Sequence, residues 1–486
     1  ETRWGFSPAA AVGWRISEEP FMLEAKDKIA MSNLKMRLSY GQAGNNRIAS
    51  GMFETLYKAY SSSKYYGAGN ILNPHYTLSN AQLANPNLKW ETTTTRNLGL
   101  DFGFFNERLN GNIDLYWNST ADLLIKSKIN AMGYTEVQEN VAETSNKGIE
   151  ISLNGNILQK KNYSLNVNFN IGFNRNRVEK LKNGITSQEY NSGGFSTDLK
   201  EQDDYRVIVG EPLGIIYGFV SDGYYSVDDF ETYVDGNGTT QFKMNNGNYV
   251  LKEGVANNAY TAGSVAGLRP GSIKLKDLDN SGTIDAKDRQ IIGRTAPKHT
   301  GGFGINGTVY GFDISATFNW VYGNQVYNLD KIATTQTYRT TYANMRDYMS
   351  SNNRFTYLDR ATGEIVTDYA TLKAMNEGKE YWSPLSIGDN SPIVTSWAVE
   401  DGSYLRFQNL TVGYTLPQSW TKKFACNQFR VYCTLNNIWT WTKYTGYDPE
   451  VNSSIRSSST SGLTPGADFS SYPKSFSWTV GLNLSF

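Results

Sequence analysis

The chain has 486 residues, with Lys plus Arg and Asp plus Glu balanced at 46 each, so no net field recommends a nucleic-acid partner. Two Cys and two His exclude a disulfide framework and starve most zinc and catalytic-histidine chemistry. Tyr, Phe and Trp number 32, 22 and 11 against 13 Pro, a β-prone balance; no run of roughly 18 apolar residues exists, which removes helical membrane spans but not a barrel of half-apolar strands.

Strict alternation first becomes plain at "NLGLDFGF", where Leu98, Leu100, Phe102 and Phe104 take one face and Asn97, Gly99, Asp101 and Gly103 the other. After a short turn, "LNGNIDLYWN" sets Leu109, Ile113, Leu115 and Trp117 opposite Asn110, Asn112, Asp114 and Tyr116. "GIEISLNGNI" and "YSLNVNFNIGFN" repeat the pattern around "LQKKN", followed by "FDISATFNWVY" from Phe312 and "QFRVYCTLN" from Gln428. The chain closes on "SFSWTVGLNLSF", with Phe476, Trp478, Val480, Leu482, Leu484 and Phe486 in one phase. About eleven such segments of roughly ten residues are present, the length a tilted strand needs to cross a bilayer.

The connectors alternate in length. Short ones are expected near 106–108, 158–162 and 309–311, with moderate ones near 16–32 and 417–427. Long ones are expected over 44–89, 119–145, 176–300, 323–402 and 437–474. A membrane barrel sorts its loops in this way, with tight turns on the periplasmic side and long loops outside, and a soluble β-sandwich has no reason to. The small and polar residues on the second face suit a hydrated lumen. On this reading Phe486 ends at the periplasmic rim, an interface that favours aromatics.

Several stretches carry a resemblance. They include "WGFSPAAAVGWRISEEPF" (4–21), "LKMRLSYGQAGNN" (34–46) and "NPNLKWETTTTRNLGLDFGFF" (85–105). "PGSIKLKDLDNSGTIDAKDRQIIGRTAPKHTGGFG" (270–304), "GSYLRFQNLTVGYTLP" (402–417) and the terminal strand continue it in order. The chain resembles the C-terminal half of the SusC/RagA family of TonB-linked outer-membrane transporters. The resemblance implies an all-β, transmembrane antiparallel β-barrel, of which 1–486 supplies about 11 of roughly 22 strands. Residues 176–300 are expected to be a long extracellular loop region. An odd strand count cannot close antiparallel on itself. The remaining half of the barrel, the plug and the segment that contacts TonB are therefore expected elsewhere, the chain beginning at Glu1 as a piece of a longer product. The family further implies a SusD-like surface lipoprotein lid and import of an oligosaccharide or a peptide across a Gram-negative outer membrane, without enzymatic chemistry. A barrel of this kind recruited as a structural scaffold, and a soluble calcium-stabilised carbohydrate-binding β-protein, are the competing readings.

One local motif points to an ion. In "DLDNSGTIDAKD" (277–288), Asp277, Asp279 and Ser281 fill loop positions one, three and five, and Gly282 the sharp turn. Thr283 offers a carbonyl, with Asp285 at nine and Asp288 at twelve. Hard oxygens at alternate positions suit a structural Ca²⁺, although position twelve is Asp rather than Glu and the flank "GSIKLKDL" reads as strand. The alternative reading is an Asx-rich turn that needs no metal. "GFGING" (302–307) fits G-x-G-x-x-G but continues as a strand, which argues against a nucleotide site. Asp101, Asp114 and Glu150 face the lumen by phase, and lumen Arg partners are expected for such acids. His299 reads as a loop residue. Candidate solute contacts are the loop aromatics Tyr57, Tyr60, Tyr65, Tyr66 and Tyr134, with Trp439, Trp441, Tyr444 and Tyr447, whose rings stack on sugar faces or peptide side chains. The last four follow a strand end and read equally as interfacial anchors.

Overall fold

The computed structural model describes residues 5–45, 54, 57–59, 66–68, 71–73, 76–78, 82–131, 134–192, 203–258, 268–335, 344–384, 393–451, 461–469 and 471–486. Eleven strands form one continuous wall. β1 (Ala9–Arg15), β2 (Met31–Asn45), β3 (Glu91–Phe104) and β4 (Leu109–Ala131) are followed by β5 (Tyr134–Lys160) and β6 (Tyr163–Lys180). β7 (His299–Val309), β8 (Phe312–Tyr322), β9 (Tyr404–Thr415), β10 (Gln428–Thr442) and β11 (Ser477–Ser485) complete it. Their spatial order is their chain order, and every neighbouring pair is antiparallel. A two-residue strand at Gln82–Leu83 adds in parallel to β5. Among the described residues β1 pairs only with β2 and β11 only with β10.

The turns at one end are tight for local reasons. Tyr310 and Gly311 both take positive φ between β7 and β8, the requirement of a two-residue hairpin matched to strand twist. Phe105, Asn106 and Glu107 likewise carry positive φ between β3 and β4.

One expected loop is absent. Residues 119–145 are not a loop: β4 and β5 continue as a paired ribbon out to Ala131 and Tyr134, with irregularities between Tyr134 and Glu136 and around Val141 and Glu143. Ile125, Ile129, Val137 and Val141 keep this stretch β-prone although its alternation is lost. His299 likewise opens β7 instead of sitting in a loop, its Nδ1 accepting from Trp320 Nε1 at 3.0 Å.

Alternation holds along most of the wall and changes phase at bulges, of which the one in β9 bears on the outer face. In β9, Tyr414, Val412 and Leu410 share a phase, but Leu405 and Phe407 also point outward because Gln408 is bulged between Phe407 and Asn409. Phe407 then stacks on Phe318 with ring centroids 4.4 Å apart, and Phe318 on Phe303 at 4.5 Å. Val12, Leu38, Ile305, Ile314, Val412 and Leu482 lie exposed on this outer face. Leu98, Val167 and Phe318 are half-buried by their strand neighbours, and none joins a hydrophobic core.

The cores lie in the long connectors. Strands 187–190, 205–208, 215–219 and 289–294 form a four-stranded sheet. Strands 325–328 and 399–401, from the β8–β9 connector, and 467–468, from the β10–β11 connector, form another. Beneath them Tyr205, Ile216, Tyr327, Leu329 and Ile332 pack with Val178 from the end of β6. Two further clusters centre on Ile273, Leu275 and Ile284, and on Tyr225, Phe230 and Phe355. The connectors beyond the wall thus fold together into one body.

Candidate functional site

The inner face of the wall is polar and charged, and glycines shape it. Arg37 on β2 donates to Asp101 at 2.8–3.0 Å and reaches across β3 to Asp114 on β4 at 3.0 Å. Gly99 lies beneath that reach: a Cβ there would sit 2.5 Å from the guanidinium and 2.7 Å from Asp114 Oδ1. β8–β10 repeat the device, with Arg430 Nε donating to Asp313 Oδ1 at 2.8 Å over Gly413. Tyr116 crosses Gly148 to give its hydroxyl hydrogen to Asn174 Oδ1 at 3.0 Å. In each case the missing side chain lets a long polar one lie flat along the sheet. The lumen acids Asp101 and Asp114 therefore carry an Arg partner, as sequence phase suggests, and form no isolated carboxylate pair poised for hydrolysis.

Towards the long-connector end a buried ion cluster joins wall to loops. The Arg406 guanidinium on β9 is almost wholly buried and bonds Asp448. Its Nη1 lies 3.0 Å from Glu450 Oε2, which also meets Lys474 Nζ at 2.6 Å. Tyr444, four residues before Asp448 in the same connector, is buried, and its hydroxyl donates to Asp468 Oδ2 at 2.5 Å. Burial and that carboxylate push its phenol well above the ordinary range. Tyr444 is thereby corrected from solute contact to structural tie. Sequence reading missed Arg406; the only signal was a cation set inside the apolar run Tyr404–Phe407.

The other aromatic candidates divide. Trp439 and Trp441 are exposed on β10 beside Phe407 and Leu405 of the outer face, the position of interfacial anchors and not of a lumen contact. Tyr447 is exposed, with the Arg346 guanidinium 5.6 Å from its ring centre. Tyr134 is half-buried at the tip of the β4–β5 ribbon. Tyr57 and Tyr66 lie on three-residue strands, and Tyr60 and Tyr65 fall outside the described residues. No cluster of these rings is drawn together among the described residues.

The acidic loop is compact. Carboxylate oxygens of Asp277, Asp279 and Asp288 lie within 4.8 Å of one another. Asp277 accepts from the backbone of Ser281 and Gly282 at 3.1 and 2.7 Å, and buried Asp288 accepts from Leu278 and Asp285 at 2.8 and 2.7 Å. The Ser281 hydroxyl donates to the Thr283 carbonyl at 2.9 Å. Hydrogen bonding to Ser281 holds the Asp279 carboxyl below its ordinary value. Asp285 is turned to another task, capping the short helix 286–288 through Lys287 N at 2.7 Å. Ile284 sinks fully into the adjoining core and fixes the loop's base. Three converging carboxylates are a hard-oxygen donor set that fits Ca²⁺.

An antiparallel wall with an apolar outside, a hydrated inside and loops sorted by length defines an outer-membrane β-barrel. Residues 1–266 match the family model described as TonB dependent receptor-like, beta-barrel, and the chain belongs to that family. TonB-dependent receptor P3 of Formosa agariphila is 30% identical over 492 residues, aligning with all of this chain and 42% of its own length. TonB-dependent receptor SusC of Bacteroides thetaiotaomicron is 27% identical, over all of this chain and 40% of its own. The RagAB peptide transporter structure superposes with a TM-score of 0.70 at 22% identity, covering 98% of this chain and 43% of that one. The chain thus spans about two-fifths of the length of the relatives it matches. These relatives are receptors and transporters, not enzymes.

Proposed function

We propose that the chain forms the C-terminal part of the barrel of a SusC-like importer, energised through TonB, that carries nutrient across the outer membrane. The observation that carries this reading is the two-faced wall: apolar residues outside, and inside a polar surface crossed by Arg37–Asp101–Asp114 and Arg430–Asp313. Further strands pair with the free edges of β1 and β11 to close a barrel of about 22 strands, since eleven antiparallel strands cannot close alone. The tight turns face the periplasm with the C-terminus, and the folded connectors, including 176–300, face outside. There they meet solute and a SusD-like lipoprotein. A solute held between lid and wall is released inward when the plug moves, so the wall binds and guides and performs no covalent chemistry. The substrate is an oligosaccharide or a peptide. The test is uptake of labelled solute by cells carrying the intact receptor. TonB-dependent accumulation is expected, and accumulation indifferent to TonB would overturn the reading.

We further infer that the loop 277–288 holds a structural Ca²⁺ through Asp277, Asp279 and Asp288, with Ser281 and the Thr283 carbonyl completing the oxygen set. The ion would pin the outer body without touching solute. Asp277→Ala with Asp279→Ala should abolish Ca²⁺-dependent protection of this loop from protease. Equal protection with Ca²⁺ and with chelator in the wild type would remove the ion from the account.

A further inference from the structure

Where the β4–β5 ribbon leaves the wall, a cavity of about 380 Å³ opens between it, the end of β6 and the connector body. Its walls are aliphatic, from Leu123, Ile125, Ala142, Val178, Val207 and Leu213. Thr144 and Val178 face each other across β5 and β6 in the phase of Asn146 and Asn176, so the cavity lies on the inner side of the wall, within the core that the wall shares with the connector body. Gly462 is exposed and Leu463 half-buried at its margin, which leaves it a mouth. Two polar atoms among these walls stand out. The Tyr190 hydroxyl and Gln138 Oε1 are buried with no hydrogen-bond partner among the described residues, and Tyr190 as a whole is 8% exposed. Burial pushes the Tyr190 phenol up to about 12, so at neutral pH it remains an O–H donor. Buried polar groups left unpaired cost free energy, so an orphaned donor and an orphaned acceptor in one cavity describe what is to fill it.

Resting on the importer reading, we propose that this cavity is a binding subsite for the peptide class of substrate, taking an aliphatic side chain together with its flanking amide. An amide supplies the C=O that Tyr190 seeks and the N–H that Gln138 Oε1 seeks, while its side chain meets the Leu, Ile and Val walls. A sugar fits poorly, because most of its hydroxyls would face aliphatic carbon and lose their water without replacement. A plain acyl chain would leave both polar atoms unpaired.

The experiment uses the intact receptor in detergent, with acetyl-Leu-Leu-amide and maltotriose as probes, read by calorimetry. The dipeptide should bind and the trisaccharide should not. Tyr190→Phe, which removes one oxygen and keeps the packing, should weaken dipeptide binding roughly three- to tenfold, the worth of one net hydrogen bond. Ala142→Leu, which fills the cavity from a buried position, should abolish it. Failure of the wild type to bind the dipeptide, tighter binding of maltotriose, or indifference to Tyr190→Phe would each overturn the subsite. TonB-dependent uptake that persists unaltered in both variants would sink the subsite and leave the importer standing. Dipeptide binding lost in both variants, without TonB-dependent uptake in the wild type, would do the reverse.

Discussion

Leu482 and Ile284 are both aliphatic residues flanked by small or polar neighbours, and they end in opposite surroundings. Leu482, on β11, is 60% exposed, while Ile284, at the base of the acidic loop, is fully buried. The wall and the connector body apply the same alternation to different solvents. In the wall one face is covered by no further layer of protein among the described residues, and the partner it is built for is hydrocarbon. In the body, sheets from separate connectors close over each other and make ordinary dry cores. Polar groups divide along the same line. Arg430 and Asp313 pair on the wall's inner face with roughly a quarter of each side chain still exposed, whereas Arg406 is 2% exposed against Asp448.

That contrast breaks most sharply at Arg406. Arg406→Ala leaves Asp448 buried without its cation, and losing one member of a buried pair costs about 3–5 kcal/mol. The expected result is release of the 443–476 connector from the wall, read as new protease cleavage there, while wall strands stay protected. Protection of the connector equal to wild type would show that the cluster is not its anchor.

Next in size is the outer face. Val167→Arg places a charge in the hydrocarbon zone and should cost about 2–4 kcal/mol in bilayer unfolding titrations, against near neutrality for Asn166→Arg one residue away on the lumen side. Equal costs at the two positions would mean that the faces do not see different solvents.

The body has a proton-linked weak point that the wall lacks. Asp204 is buried, accepts from Ser192 N and Oγ at 2.7 and 2.5 Å, and is raised by burial from 3.8 to about 6. Its folded form therefore keeps a proton that the unfolded form gives up. The associated stability is complete below the unfolded value, is lost as pH rises through the folded value, and is flat above it. The loss amounts to about 2–3 kcal/mol. Thermal melting of the intact receptor across this window should show the decline, and Asp204→Asn should remove it. A variant with the same pH profile as wild type would assign the decline to another group.

The wall was legible in the sequence because each strand's pattern depends only on its own residues: seven quoted stretches locate strands, their faces and their turns. The family resemblance added the topology that alternation alone leaves open. The body was not legible, since its sheets join residues such as Tyr327, Val399 and Ala467 that stand far apart in the chain, the last in a different connector. The ribbon at 119–145 was hidden because bulges erase period-two alternation without ending the pairing. The acidic loop was legible as spacing, except that Asp285 serves as a helix cap. Tyr444 looked like its exposed neighbours, and nothing local marks it as the partner of Asp468.

The smallest effect tests the glycines that let wall charges lie flat. A Cβ at Gly413 would stand 2.5 Å from Asp313 Oδ1 and 2.6 Å from Arg430 Nη2, so Gly413→Ala must push the pair apart. Because both partners remain partly solvated, separating them forfeits little Coulomb energy, and the pair itself is worth about 0–1 kcal/mol. Alanine also suits a strand interior better than glycine, which offsets part of that loss. The net change in bilayer unfolding should therefore stay under about 1 kcal/mol. Gly413→Ala added to Arg430→Ala and Asp313→Ala together should cost no more than that pair of changes alone, since neither side chain is then left to displace. Strict additivity of Gly413→Ala with that pair would mean that Gly413 answers to the backbone and not to the side chains laid across it.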